Sequence, residues 1–327
     1  MILVTGGAGF IGSNLVAALD ARGSEVAVCD RLGSGEKWRN LAKRRLAALV
    51  APEALLHFLE SQRGRLEAIF HLGAISATTE RDADLIVASN FTLSQQLWEW
   101  SAEHAARFIY ASSAAAYGDG SAGFDDDAGA EALARLKPMN PYGWSKLLFD
   151  KWAARRASEG RRTPPQWVGL RFFNVYGPNE YHKGDMRSVV KQVHERAAAG
   201  EPARLFRSHD PHYPDGGQQR DFIWVGDCVD AMTWLYDNGA VNGLFNLGTG
   251  KARSFADLAR AVFSALERAP QLSYVDTPAD IRERYQYFTE AAMGRLARAG
   301  YARPFTALED GVRRYVKDYL AAPDPYL

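Results

Sequence analysis

The segment Gly6-Gly7-Ala8-Gly9-Phe10-Ile11-Gly12 narrows the possible folds most, because of what flanks it. Ile2 to Thr5 is a short apolar, partly β-branched run that reads as a buried strand. Residues 11–22 carry apolar groups at helical spacing and stop at Gly23. Strand, glycine loop and helix together make a phosphate-binding turn. Gly6 makes the tight bend, Gly9 lets backbone approach a pyrophosphate, and Gly12 lets the helix pack on the strand. The helix N-terminus offers its unpaired N–H groups to the phosphates. Asp30 closes a second strand, 25–29, about 20 positions on, where a carboxylate bonds ribose hydroxyls and favours NAD. Arg31, Lys37 and Arg39 follow and supply cations for a 2′-phosphate, so the residues alone leave NAD and NADP both open.

The alternation continues. Residues 68–71, 108–111 and 167–172 read as buried strands. A helix is expected over 83–105, with Leu85, Val87, Leu93, Leu97 and Trp98 on its apolar side, and another over 142–156. This pattern predicts an α/β fold, a Rossmann-like doubly wound parallel sheet covered on both faces. After Phe173 the loops lengthen, and FIWV (222–225) and FNLG (245–248) read as strands returning to the first domain. At roughly 150 residues per domain, 327 residues make about two. The expected division is a dinucleotide-binding domain over 1–173 and 218–248, and a smaller, discontinuous substrate domain over 174–217 and 249–327.

Composition excludes several classes. Thirty-nine basic and 39 acidic residues leave a formal net charge of +0, which argues against nucleic-acid capture. Cys29 and Cys228, the two cysteines, make neither a disulfide framework nor a thiolate zinc site. No apolar run approaches the roughly 18–20 residues that cross a bilayer, and the N-terminus lacks the charged region of a secretory signal. A cytoplasmic protein is the expectation. His182, His209 and His212 lack ligand spacing, so no metal is expected. His71, at a strand end, reads as structural. Trp98, Trp100, Trp152 and Trp234 read as packing or oligomer contacts, and a homo-oligomer is expected.

Ser113 follows the strand at 108–111, and Tyr142 and Lys146 stand four apart at a helix start, on one face. A phenol titrates near 10 and is a poor base at neutral pH. A neighbouring ammonium favours the phenolate. Tyr142 is then placed to take a hydroxyl proton while hydride leaves the same carbon, with Ser113 bonding the same oxygen. Lys183, in a glycine-containing loop, reads on spacing alone as a solvated lysine.

Taken together, TGGAGFIGSN (5–14), HLGA (71–74), YASSAAAYG (110–118), PYGWSK (141–146), RFFNVYGP (171–178), RDFIWVGD (220–227) and FNLGTG (245–250) resemble the extended short-chain dehydrogenase/reductase superfamily, over nearly the whole chain. Ala114-Ala115 stand where its dehydratases carry Asp-Glu, which argues against water elimination. NVYGP (174–178) with YHKGDM (181–186), the early GSGEKWRNL (33–41) and the late RYQYFT (284–289) resemble the ADP-L-glycero-D-manno-heptose 6-epimerases.

That resemblance implies NADP-dependent epimerisation at C6 through a transient 6-ketone, for lipopolysaccharide core heptose. It makes Tyr142 and Lys183 the two acid/base groups and puts Lys146 on the nicotinamide ribose. Phe10, Ile11, Asp30, Arg31, Lys37, Leu72, Gly73, Ala74, Ile75, Ser76, Asn90 and Val175 map to the cofactor site. Asn174, Asp185, Gln192, Phe206, Arg207, Ser208, His209, Arg220 and Tyr285 map to the ADP-sugar site. Asp185 and Gln192 stand where the family carries Ser and His, an acidic residue is missing near the end of strand three, and 207–219 is longer than usual. Another nucleotide-sugar epimerase or a reductase is the alternative enzyme. A nucleotide-binding regulator would have no use for Ser113, Tyr142 and Lys146 together.

Overall fold

The computed structural model describes residues 1–278, 282 and 285–327. Strands β1 (Ile2–Thr5), β2 (Val26–Cys29), β3 (Ala48–Val50), β4 (Ala68–His71), β5 (Arg107–Ser113) and β6 (Trp167–Phe172) enter the main sheet in turn. β7 (Asn174–Tyr176), β8 (Ala203–Phe206), β9 (Gln219–Trp224), β10 (Gly243–Leu247), β11 (Ala252–Ser254) and β12 (Leu272–Val275) follow. The main sheet has seven parallel strands in the order β10-β6-β5-β4-β1-β2-β3. Strand order therefore reverses at β1, and the connections leaving β1 and β4 part there. That opens a crevice at their carboxyl ends.

The α-helices up to residue 265 are α1 (Phe10–Ala21), α2 (Leu55–Ser61), α3 (Ala83–Ile86), α4 (Leu93–Glu103), α5 (Ala130–Ala134), α6 (Pro141–Ser158), α7 (Val189–Ala198), α8 (Val225–Asp237) and α9 (Phe255–Ala265). On one face of the sheet Leu15 and Leu19 of α1 pack with Met232 and Leu235 of α8. On the other, Leu97 and Trp98 of α4 and Phe149 of α6 cover Phe108 and Tyr110. A third core joins α7, α9, Phe222 and Trp224 of β9, and Tyr315. Trp98 and Trp100 are buried and serve packing.

Two expectations need correction. FIWV does not return to the main sheet. β9 ends at Trp224 and pairs with β7 and β11, because Phe222 and Trp224 face the third core. Val225 already begins α8, and it is α8 and β10 that return. Nor is 83–105 one regular helix. A π-helical turn, Val87–Thr92, separates α3 from α4, and Leu85 is exposed. Within the turn, buried Asn90 exchanges hydrogen bonds with the Ile75 backbone, 2.9 and 3.0 Å, and such wide turns often mark functional sites.

Asp150 of α6 is fully buried, and its carboxylate accepts from Tyr110 (3.0 Å), Ser112 (2.9 Å) and Arg171 Nε (2.9 Å). Helix α6 is thereby fastened to β5 and β6 at one height. Arg171 is equally buried, and its guanidinium lies over the Tyr117 ring at 4.8 Å. Removing one member of a buried pair strands the other charge. Asp150→Ala should therefore cost about 3–5 kcal/mol in urea unfolding, while replacing both Asp150 and Arg171 by apolar residues should cost less.

Candidate active site

The crevice at the β1/β4 switch is a cleft of about 590 Å³. Its floor is the glycine loop. Gly6 has φ +67°, and a Cβ there would lie 2.6 Å from the Gly73 nitrogen; at Gly12 it would lie 2.1 Å from the Gly6 carbonyl oxygen. Gly9 precedes α1, whose first turn no side chain caps and no acidic residue occupies, so its N–H groups stay available to an anion. A backbone cradle that a Cβ would fill, beside an uncapped helix end, fits a dinucleotide pyrophosphate.

Asp30 marks the adenosine side of the cleft. Its carboxylate accepts the Ala8 N–H at 2.9 Å and pairs with Lys37 Nζ at 2.6 Å. Lys37 also donates to the Arg31 carbonyl at 2.9 Å. The Arg31 guanidinium is exposed and paired with Glu53, outside the cleft.

The wall opposite belongs to β5 and α6. Ser113 caps the turn after β5, accepting the Ala115 N–H at 3.1 Å. Burial pushes the Tyr142 phenol above its ordinary value, and a hydrogen bond with Ser113 opposes that rise. Lys146, one turn further along α6, donates to the Ala111 carbonyl at 2.8 Å. Burial lowers it to about 8, against the pull of Asp150 in the next turn. Behind this wall, His71 bridges Thr5 (2.7 Å) and Ser94 (2.9 Å), and burial holds it down to about 3, a neutral structural role.

Lys183 arrives from the second lobe, the one built on the third core and facing the main-sheet lobe, on a 3₁₀ turn, Tyr181–Met186, kinked at Gly184 with φ +54°. Its ammonium lies 5.4 Å from the Phe10 ring centroid, above the glycine loop. Burial lowers its pKa while Glu180 raises it. Across the cleft, Arg220 stacks over Tyr285 (5.4 Å) and Phe255 (5.6 Å), and Phe206 meets Tyr285 edge-on at 6.0 Å.

The cleft thus brings together Gly6, Gly9, Phe10, Ile11, Gly12, Asp30, Lys37, Leu72, Gly73, Ala74, Ser76, Ser113, Tyr142, Lys146, Asn174, Val175, Lys183 and Arg220. The other expected site residues do not line it. Ile75 and Asn90 lie behind the 72–76 loop, where Asn90 also donates to Ser145 of α6 at 3.1 Å. Asp185 is exposed, and Gln192 turns to the Arg187 carbonyl at 3.0 Å. Arg207 pairs with Asp276, the Ser208 N–H reaches Asp215, and the His209 N–H reaches the Tyr287 hydroxyl at 2.8 Å. Arg284, in the RYQYFT segment, lies outside the described residues.

Sequence reasoning missed a set of amides that joins the two lobes. Asn40 donates to the Ala8 carbonyl (2.8 Å) and the Asn179 carbonyl (3.1 Å), and Asn14 donates to the Pro178 carbonyl (3.0 Å). Gln286 and Thr289 line the cleft from the C-terminal segment. No local periodicity singles out these residues. Among the described residues, no group of three His, Cys, Asp or Glu gathers to hold a metal, and no helix is long and apolar enough to cross a membrane.

Residues 2–248 match the NAD dependent epimerase/dehydratase family. The chain belongs to that family. It is 52% identical over 332 residues to an ADP-L-glycero-D-manno-heptose-6-epimerase of Nitratidesulfovibrio vulgaris, covering 100% of both chains. It is 43% identical over 336 residues, again with 100% coverage of both, to the enzyme of that name from Fusobacterium nucleatum. The crystal structure of the Helicobacter pylori ADP-L-glycero-D-manno-heptose-6-epimerase superposes with a TM-score of 0.81 at 28% identity, over 98% of this chain and 96% of that one. A Thermus thermophilus UDP-glucose 4-epimerase solved with NAD gives 0.76 at 27%, over 98% and 99%. As a member of this family, the chain uses a nicotinamide cofactor.

Lys146 gives a stability prediction whose sign follows from its depressed pKa. Between about 8 and the ordinary 10.5, the unfolded chain binds a proton that the folded chain does not, so stability rises with pH across that window. Lys146→Met should lack this rise, worth up to about 3 kcal/mol, in paired urea titrations at pH 7 and pH 10.5.

Proposed function

We propose that the chain inverts C6 of ADP-glycero-manno-heptose, D-glycero to L-glycero, with NADP, supplying heptose for lipopolysaccharide core. The observation that carries this reading is the meeting of two protonatable groups from different lobes, Tyr142 and Lys183, over one glycine-loop cleft. The names of the relatives at 52% and 43% identity support the choice of sugar.

The C6–H lies next to no carbonyl and is not acidic, so a base alone cannot invert that carbon. The nicotinamide supplies the missing chemistry when bound, accepting hydride from C6 and returning it. Tyr142 takes the C6 hydroxyl proton, with Ser113 bonding the same oxygen and the Lys146 ammonium favouring the phenolate. Rotation about C5–C6 then presents the other face of the ketone. Lys183, on the facing lobe, gives the oxygen its proton in that second pose. Two poses of one ketone call for two proton-transfer groups, and the cleft holds both.

NADP is the cofactor we assign. Lys37 neutralises Asp30, so the carboxylate repels a 2′-phosphate weakly, and Arg31, whose exposed guanidinium is paired with Glu53, is the next cation along the chain. Asn174 and Arg220, in the cleft, are assigned to the ADP-sugar, with Arg220 and its neighbour Tyr285 at the nucleotide end, while Asp185, Gln192 and 206–209 stand outside the cleft lining. Exposed Leu85 and Trp144 support assembly as a homo-oligomer, and the biosynthetic role supports a cytoplasmic location.

Denaturing the purified protein should release NADP without any having been added. A preparation with no nucleotide, and no binding on titration, contradicts the cleft assignment. Tyr142→Phe and Lys183→Met should each lower turnover of ADP-glycero-manno-heptose by about 10²–10⁴-fold, with cofactor content retained. Near-normal epimerisation by Lys183→Met would contradict the two-group mechanism.

A further inference from the structure

Glu180 is fully buried, and no step above uses it. Its carboxylate accepts three hydrogen bonds, all from neutral donors: the Ser188 N–H, the Ser188 hydroxyl at 2.6 Å and the Tyr315 hydroxyl at 2.9 Å. Ser188 caps α7, and Tyr315 begins the π-helical turn Tyr315–Leu320 in the third core. Lys183 stands three residues after Glu180, its N–H on the Glu180 carbonyl at 3.1 Å. One carboxylate therefore ties the lysine turn to two separate helical elements.

The other charged groups packed around this turn are engaged elsewhere. Lys37 pairs with Asp30, while Arg187 and Lys191 both pair with Glu195. His182 meets the Asn40 amide at 3.3 Å, and burial lowers it to about 4, so it is neutral. Tyr181 donates to the Pro325 carbonyl at 2.7 Å, and Asp185 is exposed. Glu180 is the buried carboxylate three residues before Lys183; burial raises its pKa, the Ser188 and Tyr315 hydrogen bonds and Lys183 oppose that rise, and a charge in such a setting acts over a longer range than one in water.

We propose that Glu180 is the positioning residue of Lys183, its hydroxyl-anchored carboxylate both fixing the turn and keeping the neighbouring ammonium charged as proton donor. The proposal rests on the assignment of Lys183 as the second acid/base group. Field and geometry act together here: burial lowers the lysine, and the carboxylate offsets that.

The hydrogen-bond geometry supplies a clean variant. In Glu180→Gln, an amide NH₂ at the Oε1 position can donate to both hydroxyls, since each also accepts, and the amide oxygen at the Oε2 position still accepts the Ser188 N–H. The charge goes and three hydrogen bonds remain.

The test is a pH titration of Lys183 by NMR after reductive ¹³C-dimethylation of the full-length protein, the signal assigned with Lys183→Arg. Glu180→Gln should move this titration to lower pH by about one unit or more, keep the wild-type unfolding midpoint, and lower kcat more than it raises KM. Glu180→Asp, which keeps the charge, should restore most of the titration. An unmoved Lys183 titration in a folded Glu180→Gln protein overturns the proposal. Should that variant not fold, the wild-type chain decides. There the ¹³C carboxylate signal of Glu180 and the Lys183 signal must each show a step where the other titrates, and independent single steps overturn the proposal. Normal turnover by Lys183→Met overturns the underlying assignment instead, a result distinct from an unmoved titration.

Discussion

Asp150 holds the reaction wall together. One fully buried carboxylate satisfies hydroxyls from two residues of β5 and a guanidinium from β6, and it sits on the α6 face that carries Tyr142 two turns and Lys146 one turn earlier. The rotation of α6 about its axis, and so the direction in which Tyr142 points, follows from that anchor. So does the electrostatics: the same charge offsets part of what burial takes from the Lys146 ammonium. A buried ion pair is a poor source of stability. Its use here is to place a phenol and an ammonium at one fixed height beside the end of β5.

Beside the lysine turn, the second lobe meets the first through side-chain amides. Asn14 and Asn40, on the cofactor side, bond carbonyls at Pro178 and Asn179 immediately before the turn that carries Lys183. The lysine is therefore registered against the glycine loop itself. Two proton-transfer groups on separately anchored elements, both converging on one cleft, suit chemistry in which one carbon is approached from two faces.

Much of the first lobe was legible because its signals are local. The apolar runs at 2–5, 68–71 and 167–172 coincide with β1, β4 and β6, and the glycine spacing is a direct consequence of backbone contacts near 2–3 Å. What escaped depended on distant partners. Asn40 meets Asn179 across 139 positions, and nothing near either residue marks it. The π-helical turn at 87–92 has ordinary helical composition, and its meaning lies in Asn90 reaching back to Ile75. β9 reads as a main-sheet strand because it is apolar, but Phe222 and Trp224 find a different core. Tyr142 and Lys146 could be paired by spacing alone, whereas Lys183 needed family resemblance, since the Phe10 ring beneath it lies 173 positions away in the chain.

The chemistry at C6 is read most directly by running the reaction in D₂O with ADP-glycero-manno-heptose and only the cofactor that the protein already carries. The hydrogen on C6 should leave that carbon and return to it without meeting water, while Tyr142 and Lys183 handle only the exchangeable hydroxyl proton. Hydride return to the same carbon predicts product inverted at C6, with no deuterium on that carbon and no accumulation of reduced cofactor. Stoichiometric deuterium at C6 would contradict it.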